Sequence, residues 1–167
     1  MSLSARIMAA LEAQGGKGAL IGGGALAFHG VARATLDADF LTTDAFVLEP
    51  AFAEAVGVAG DERRGDPDDP LVGIVRFTDG DEVVDLIVGD AGWMKAAVER
   101  ASLHQLSSGS VRVVEAPDLV LLKLYAGGLQ DFLDVRLLVA AHPEIAPTVE
   151  KRLGGLPSEA RQAWSRL

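Results

Sequence analysis

Leu3, Ile7, Met8 and Leu11 recur at helical spacing and stop at Gly15-Gly16, which predicts a first helix over residues 3–14. The apolar stretch GALIG, 18–22, predicts a short strand. It runs into a turn, Gly22-Gly23-Gly24, and a short helix, ALAFHG, that ends at Gly30. Residues 37–42 predict a second strand, and Pro50 opens a helix over AFAEAVGVA. GDERRGDPDDP, 60–70, reads as a charged loop. LVGIVRFT and EVVDLIVG read as two strands joined through Asp79-Gly80-Asp81, a hairpin signal. A helix over 92–101 follows, then a turn at Ser107-Ser108-Gly109-Ser110 and a strand, VRVVE. Beyond Pro117 every segment has helical spacing: DLVLLKLYA up to Gly127-Gly128, then 130–141, 144–153 and 158–166.

Strands and helices therefore mix up to about residue 116, and helices alone follow. The expectation is an α+β protein, with a mixed β-sheet flanked by helices over 1–116 and a helical extension over 117–167 packed on that core. The EVVDLIV strand is apolar on both sides of Asp85, so it reads as covered on both faces.

Composition narrows the function. The chain has 167 residues, enough for one domain with a real core. It has no cysteine, which excludes disulfides and thiolate metal sites. Its net charge of −9 is the opposite of the basic surface that non-specific DNA binding needs. The opening MSLSARIMAALEAQGG is amphipathic with an internal Glu12, unlike a secretory signal, and no apolar run nears the roughly 20 residues of a membrane span. A cytoplasmic protein is the expectation.

The candidate chemistry begins at DADFL. On a strand, Asp37 and Asp39 point to one face, with Leu36, Ala38 and Phe40 on the other. Two carboxylates about 4 Å apart repel by roughly 4 kcal/mol at an effective dielectric near 20. Water, a shared proton, a basic partner or a metal ion must offset that. Asp85, with apolar residues on both faces of its strand, is costly there without a partner unless it lies at an exposed strand end. The strand–glycine–helix turn at 18–30 offers free backbone N–H groups and a positive dipole end, suited to phosphate. Three carboxylates from two strands beside a helix start form a hard-oxygen set suited to Mg²⁺, with a nucleoside triphosphate as the ligand such a set would take.

The stretch IGGGALAFHGVARATLDADFL resembles the nucleotidyltransferase signature of the DNA polymerase beta superfamily: an apolar residue, glycines, about nine to thirteen residues, then Asp-x-Asp on a strand. Gly23, Gly24, Ala25, His29, Gly30, Arg33, Thr35, Asp37 and Asp39 also resemble the small prokaryotic nucleotidyltransferases of the AbiEii toxin type. EAPDLVLLKLYAGGLQDFLDVRLL, with Lys123, Asp131 and Asp134, resembles their lysine helix and Asp-x-x-Asp helix. The resemblance implies the nucleotidyltransferase fold and transfer of a nucleoside monophosphate from an NTP to an acceptor hydroxyl. Asp37, Asp39 and Asp85 would be catalytic and would ligate two Mg²⁺ ions. Gly23, Gly24, Arg33 and Lys123 would bind the nucleotide. The acceptor stays open among an RNA end, a protein side chain and a small molecule. A toxin–antitoxin role would make an antitoxin, or a second copy of the chain, a partner. One departure is the uncharged stretch Gly127-Gly128-Leu129-Gln130, where members of this group often carry basic residues.

The remaining candidates read more plainly. His29 reads as a cap of the helix after the glycines or as a contact to phosphate or base, and Thr35 is placed to fix the loop before Asp37. Trp93 and Tyr125 read as core or as stacking surface. His104 and His142 lack metal-ligand spacing. The competing reading of the whole is a catalytically silent module of the same fold that binds a nucleotide or a protein.

Overall fold

The computed structural model describes residues 1–35, 37–106 and 109–167. Leu36, expected on the far side of the Asp37/Asp39 strand, and Ser107 and Ser108, expected in a turn, lie outside the described residues. The fold is α+β. Among the described residues, seven strands form one mixed sheet in the order β3-β4-β5-β2-β1-β7-β6. These are β1 (Gly18–Leu20), β2 (Asp37–Thr42), β3 (Gly60–Arg64), β4 (Leu71–Asp79), β5 (Glu82–Gly89), β6 (Ser102–Leu106) and β7 (Gly109–Val113). β2 runs parallel to β5, and β1 runs parallel to β7; the other neighbours are antiparallel.

Eight α-helices flank the sheet among the described residues: α1 (Leu3–Ala13), α2 (Gly22–Phe28), α3 (Pro50–Val56), α4 (Gly92–Arg100), α5 (Ala116–Ala126), α6 (Leu129–Ala141), α7 (Ala146–Arg152) and α8 (Ser158–Trp164). No described helix is long and apolar enough to cross a membrane.

Alternation along β4 and β5 decides which face of the sheet is core. Val75, Phe77, Val84, Leu86 and Val88 are buried and meet α1 and α3. Phe77 takes the edge of Phe52 from α3 at 6.2 Å between ring centres. Leu3, Ile7 and Leu11 fill the layer from α1. Ser2 caps α1 by accepting from the Ala5 N–H, and Glu82 accepts from the Leu3 N–H at 2.9 Å. Arg6 pairs with Asp79, so the helix start is fastened to the hairpin tip.

The opposite side of the hairpin is different. Val72, Ile74, Val83 and Ile87 are only partly buried there, and Arg76 and Asp85 stand among them. The expectation that EVVDLIV is covered on both faces is therefore corrected: one face is core and the other is a half-open floor. Three further corrections concern elements. The glycines 22–24 are the first turn of α2 rather than a turn before it. Residues 60–64 of the expected loop are an edge strand, β3, exposed at every position. Residues 102–106 form β6, pairing with β7 across a hairpin. Both edge strands carry polar residues with little alternation, so nothing in their hydropathy marks them.

Helices α5, α7 and α4 meet at one buried charge. Asp118, in the first turn of α5, is fully buried. Arg100 of α4 donates to it twice, at 2.9 and 2.7 Å, and Arg152 of α7 approaches to 3.0 Å. A carboxylate with two guanidinium forks is well satisfied; without them it would be a severe penalty. Leu119, Val120, Leu121 and Leu124 of α5 continue the same hydrophobic core as α1 and the sheet.

Asp118→Ala removes the carboxylate and leaves two partly solvated arginines facing apolar surface. The expected loss is about 2–4 kcal/mol of unfolding free energy, read from urea denaturation.

Candidate functional site

The β2–β5 register builds the site. Asp39 lies directly opposite Asp85, and Asp37 opposite Val83. Residues opposite one another on paired strands share a face, and so do Asp37 and Asp39 two residues apart. The three carboxylates therefore come together on the half-open floor. The two-residue loop Gly80-Asp81 closes the hairpin with Asp79 opposite Glu82, which puts Arg76 opposite Asp85. Sequence reasoning missed Arg76. Counting back from that loop would have found it, because hairpin register follows loop length.

Arg76 is the cation of this cluster. Its Nε donates to Asp85 at 2.8 Å, one Nη donates to the second Asp85 oxygen at 2.6 Å, and the same Nη reaches Asp37 at 3.3 Å. The bond to Asp85, then its charge, pushes the guanidinium pKa further up, so Arg76 stays charged. Asp39 is left with less. No described residue donates a hydrogen bond to its carboxylate. Burial first, then the charges of Asp85 and Asp37, push it up to about 6, against the opposing pull of Lys123 and Arg76. The excess negative charge of the trio thus falls on Asp39.

Gly22, rather than Gly23 or Gly24, touches the carboxylates. A Cβ on Gly22 would lie 2.1 Å from an Asp39 carboxylate oxygen, and its φ of +60° is left-handed. Glycine is demanded twice over at this one position. A Cβ on Gly23 would meet Thr35 at 2.9 Å, and one on Gly24 would meet Leu20 at 3.1 Å. Those two glycines bring α2 close to the loop and the sheet. The first N–H groups of α2 precede any intrahelical partner. The Ile21 N–H bonds to the Asp39 carbonyl at 2.8 Å, tying the start of α2 to the acid strand.

Lys123 is buried on α5 and does not snorkel to solvent. Its ammonium pairs with Asp131 at 2.9 Å and Asp134 at 2.7 Å, both from α6. Arg33 also approaches the buried Asp134, at 3.6 Å, and Gln130 donates to it at 2.8 Å. Arg33 is thus a partner of the Asp134 carboxylate in this structure. Thr35 donates to the Asp37 carbonyl at 3.0 Å and fixes the loop. A nitrogen of His29, at the C-terminus of α2, lies 2.8 Å from the Val114 carbonyl, and His142 reaches the His29 carbonyl at 2.7 Å. His104 packs on Phe28 with ring centres 5.2 Å apart. Trp93 and Tyr125 meet edge to face at 5.6 Å, and the Tyr125 hydroxyl donates to Asp69.

This topology matches solved structures. The antibiotic-resistance factor ANT(2'')-Ia aligns over 98% of this chain and 92% of its own, at 18% identity and a TM-score of 0.58. Its crystal structure with adenylyl-2''-tobramycin aligns with the same TM-score of 0.58. An antigenic nucleotidyltransferase-like protein from Paracoccidioides brasiliensis aligns over 98% of this chain and 85% of its own, at 15% identity and a TM-score of 0.57. The chain has the nucleotidyltransferase fold. No protein-family model and no curated protein matches its sequence.

The donor set suits a hard divalent cation: three carboxylates on adjacent strands, one of them without a hydrogen-bond donor among the described residues and pushed up in pKa by burial and then by the other two. Among the described residues no three acidic or imidazole groups already converge on one point. Asp85 and Asp37 turn their oxygens toward Arg76 instead.

Two outcomes follow from this geometry. Gly22→Ala forces Asp39 aside and strains the backbone, so a loss of about 1–3 kcal/mol is expected in urea denaturation, more than for Gly24→Ala. The second is a pH dependence. Asp39 holds its proton more tightly folded, near 6, than unfolded, near 3.8. Its contribution to stability is therefore greatest below about pH 4 and is lost as pH rises through 6. In chelator-treated protein, Asp39→Asn should flatten that decline and raise the melting temperature at pH 7 but not at pH 4.

Proposed function

We propose that this protein is an Mg²⁺-dependent nucleotidyltransferase that moves a nucleoside monophosphate from an NTP to an acceptor hydroxyl. The observation that supports it most is the gathering of Asp37, Asp39 and Asp85 on one sheet face beside the start of α2, within a nucleotidyltransferase fold. In this reading Asp37, Asp39 and Asp85 hold two magnesium ions. When bound, these would neutralise the triphosphate and stabilise the leaving pyrophosphate. Gly23 and Gly24 present backbone N–H groups at the positive end of α2 to phosphate oxygens. Lys123, with Arg33 beside it, adds positive potential behind Asp39 while remaining paired to Asp131 and Asp134. Asp85 takes the proton of the acceptor hydroxyl. The acceptor oxygen bonds to the α-phosphorus, the bond to the bridging oxygen breaks, and pyrophosphate departs. Most of the rate comes from positioning and charge.

The adenylylated small molecule held by the neighbour ANT(2'')-Ia supports a small-molecule hydroxyl as acceptor, and the net charge of −9 argues against a long nucleic acid. The toxin–antitoxin role, with an antitoxin as partner, rests on the sequence resemblance alone. Arg76 on Asp85 and Asp37 favours a second reading, a silent module that binds a nucleotide or a protein.

Incubation with Mg²⁺, each labelled NTP and a cell extract separates the two. Label transfer should appear with the wild type and fall about a hundredfold or more in Asp39→Ala. Nucleotide binding without transfer, equally strong after that change, would sink the enzymatic reading.

A further inference from the structure

We infer that Arg76 is a positioning residue that competes for the carboxylates: it clamps Asp85 and Asp37 in the cation-free protein and must release them before a divalent cation can bind. This rests on the metal-dependent reading above. Three observations carry it. First, the contact is two-pronged on Asp85 and extends to Asp37, so one guanidinium occupies oxygens from both strands. A fork on a carboxylate fixes its plane as well as its charge.

Second, the clamp is releasable. The Arg76 side chain is 49% exposed, whereas that of Asp85 is 15% exposed. Arg76 projects from the half-open floor, so it can swing into water without opening a cavity in the core. Water screens the half-exposed guanidinium on its outer side, and a doubly charged ion outcompetes a single charge at the same oxygens. Third, Asp39 lies outside the clamp and accepts no hydrogen bond from a described residue, so it is free to make the first contact with an entering cation.

The register makes the clamp specific to this strand pair. Arg76 and Asp85 are held opposite each other by the two-residue loop Gly80-Asp81, so the guanidinium is delivered to Asp85 without any ligand. Asp61 on β3 lies opposite Arg76 on the other side, a nearby carboxylate toward which the released side chain can turn. Arg76 thus keeps Asp37 and Asp85 apart from their mutual repulsion until a stronger cation arrives, and then stands free at the rim of the site.

The test uses Mn²⁺ as probe without nucleotide. In calorimetric titration, Arg76→Gln should bind Mn²⁺ about three- to tenfold more tightly than the wild type, with Arg76→Lys in between, because lysine keeps the charge but loses the fork. Removing a positive charge would raise affinity somewhat in any case, so a second readout on the unaltered protein is decisive. The ¹⁵N-labelled Nε–H signal of Arg76, bonded to Asp85 in the free protein, should shift and exchange faster with solvent at saturating Mg²⁺. An Nε–H signal unmoved at saturation, or Mn²⁺ affinity in Arg76→Gln no higher than in the wild type, overturns the inference. If label transfer is nonetheless lost in Asp39→Ala, the transferase reading stands and only the clamp falls. No Mn²⁺ binding by any of the three proteins also overturns the clamp, and label transfer then decides the transferase reading by itself.

Discussion

The parallel pairing of β2 with β5 puts Asp39 directly beside Asp85, and much of the molecule answers to the repulsion this creates. Like charges on neighbouring strands destabilise a sheet. The chain offsets them in layers. Arg76 meets Asp85 and Asp37 directly. Lys123 lends its field from behind while tied to Asp131 and Asp134. The rest of the strain is left on Asp39, whose carboxyl group holds its proton up to about pH 6.

The two faces of the hairpin are covered differently. The buried face of the hairpin takes α1 and α3 and supplies the hydrophobic contact that stabilises the sheet. The other face stays half open. On that side α2 begins hard against Asp39, an approach only glycine allows at position 22. Farther off, the buried Asp118 ties α4, α5 and α7 together, so the helix that carries Lys123 has a rigid base. Preorganised charge of this kind needs little reorganisation when a ligand binds.

Two charge clusters of similar composition thus serve different ends. Around Asp118 the arginines are matched to one deeply buried carboxylate, and the result is structural. Around Asp39 three carboxylates share one exposed arginine and a distant lysine, so the balance stays negative. A cluster deficient in positive charge on a half-open sheet face is suited to taking up a cation. The deficit, rather than the number of acids, sets it apart from the structural ion pairs elsewhere on the surface.

Much of this was legible in the amino-acid order. The period-two placement of Asp37 and Asp39, the apolar strand around Asp85, the glycine run and the helical spacing after Pro117 are local patterns, and local patterns survive without coordinates. The α+β class follows from their succession. Tertiary structure decided what depends on pairing between distant segments: that Asp39 faces Asp85, that Arg76 stands on both strands' acids, and that Gly22 is the glycine in contact. It also revealed β3 and β6, edge strands whose polar residues leave no alternation to read. The division has one physical cause. Side-chain direction along a strand is set by its own backbone, whereas the identity of the neighbour is set by register and crossover, which hydropathy does not encode.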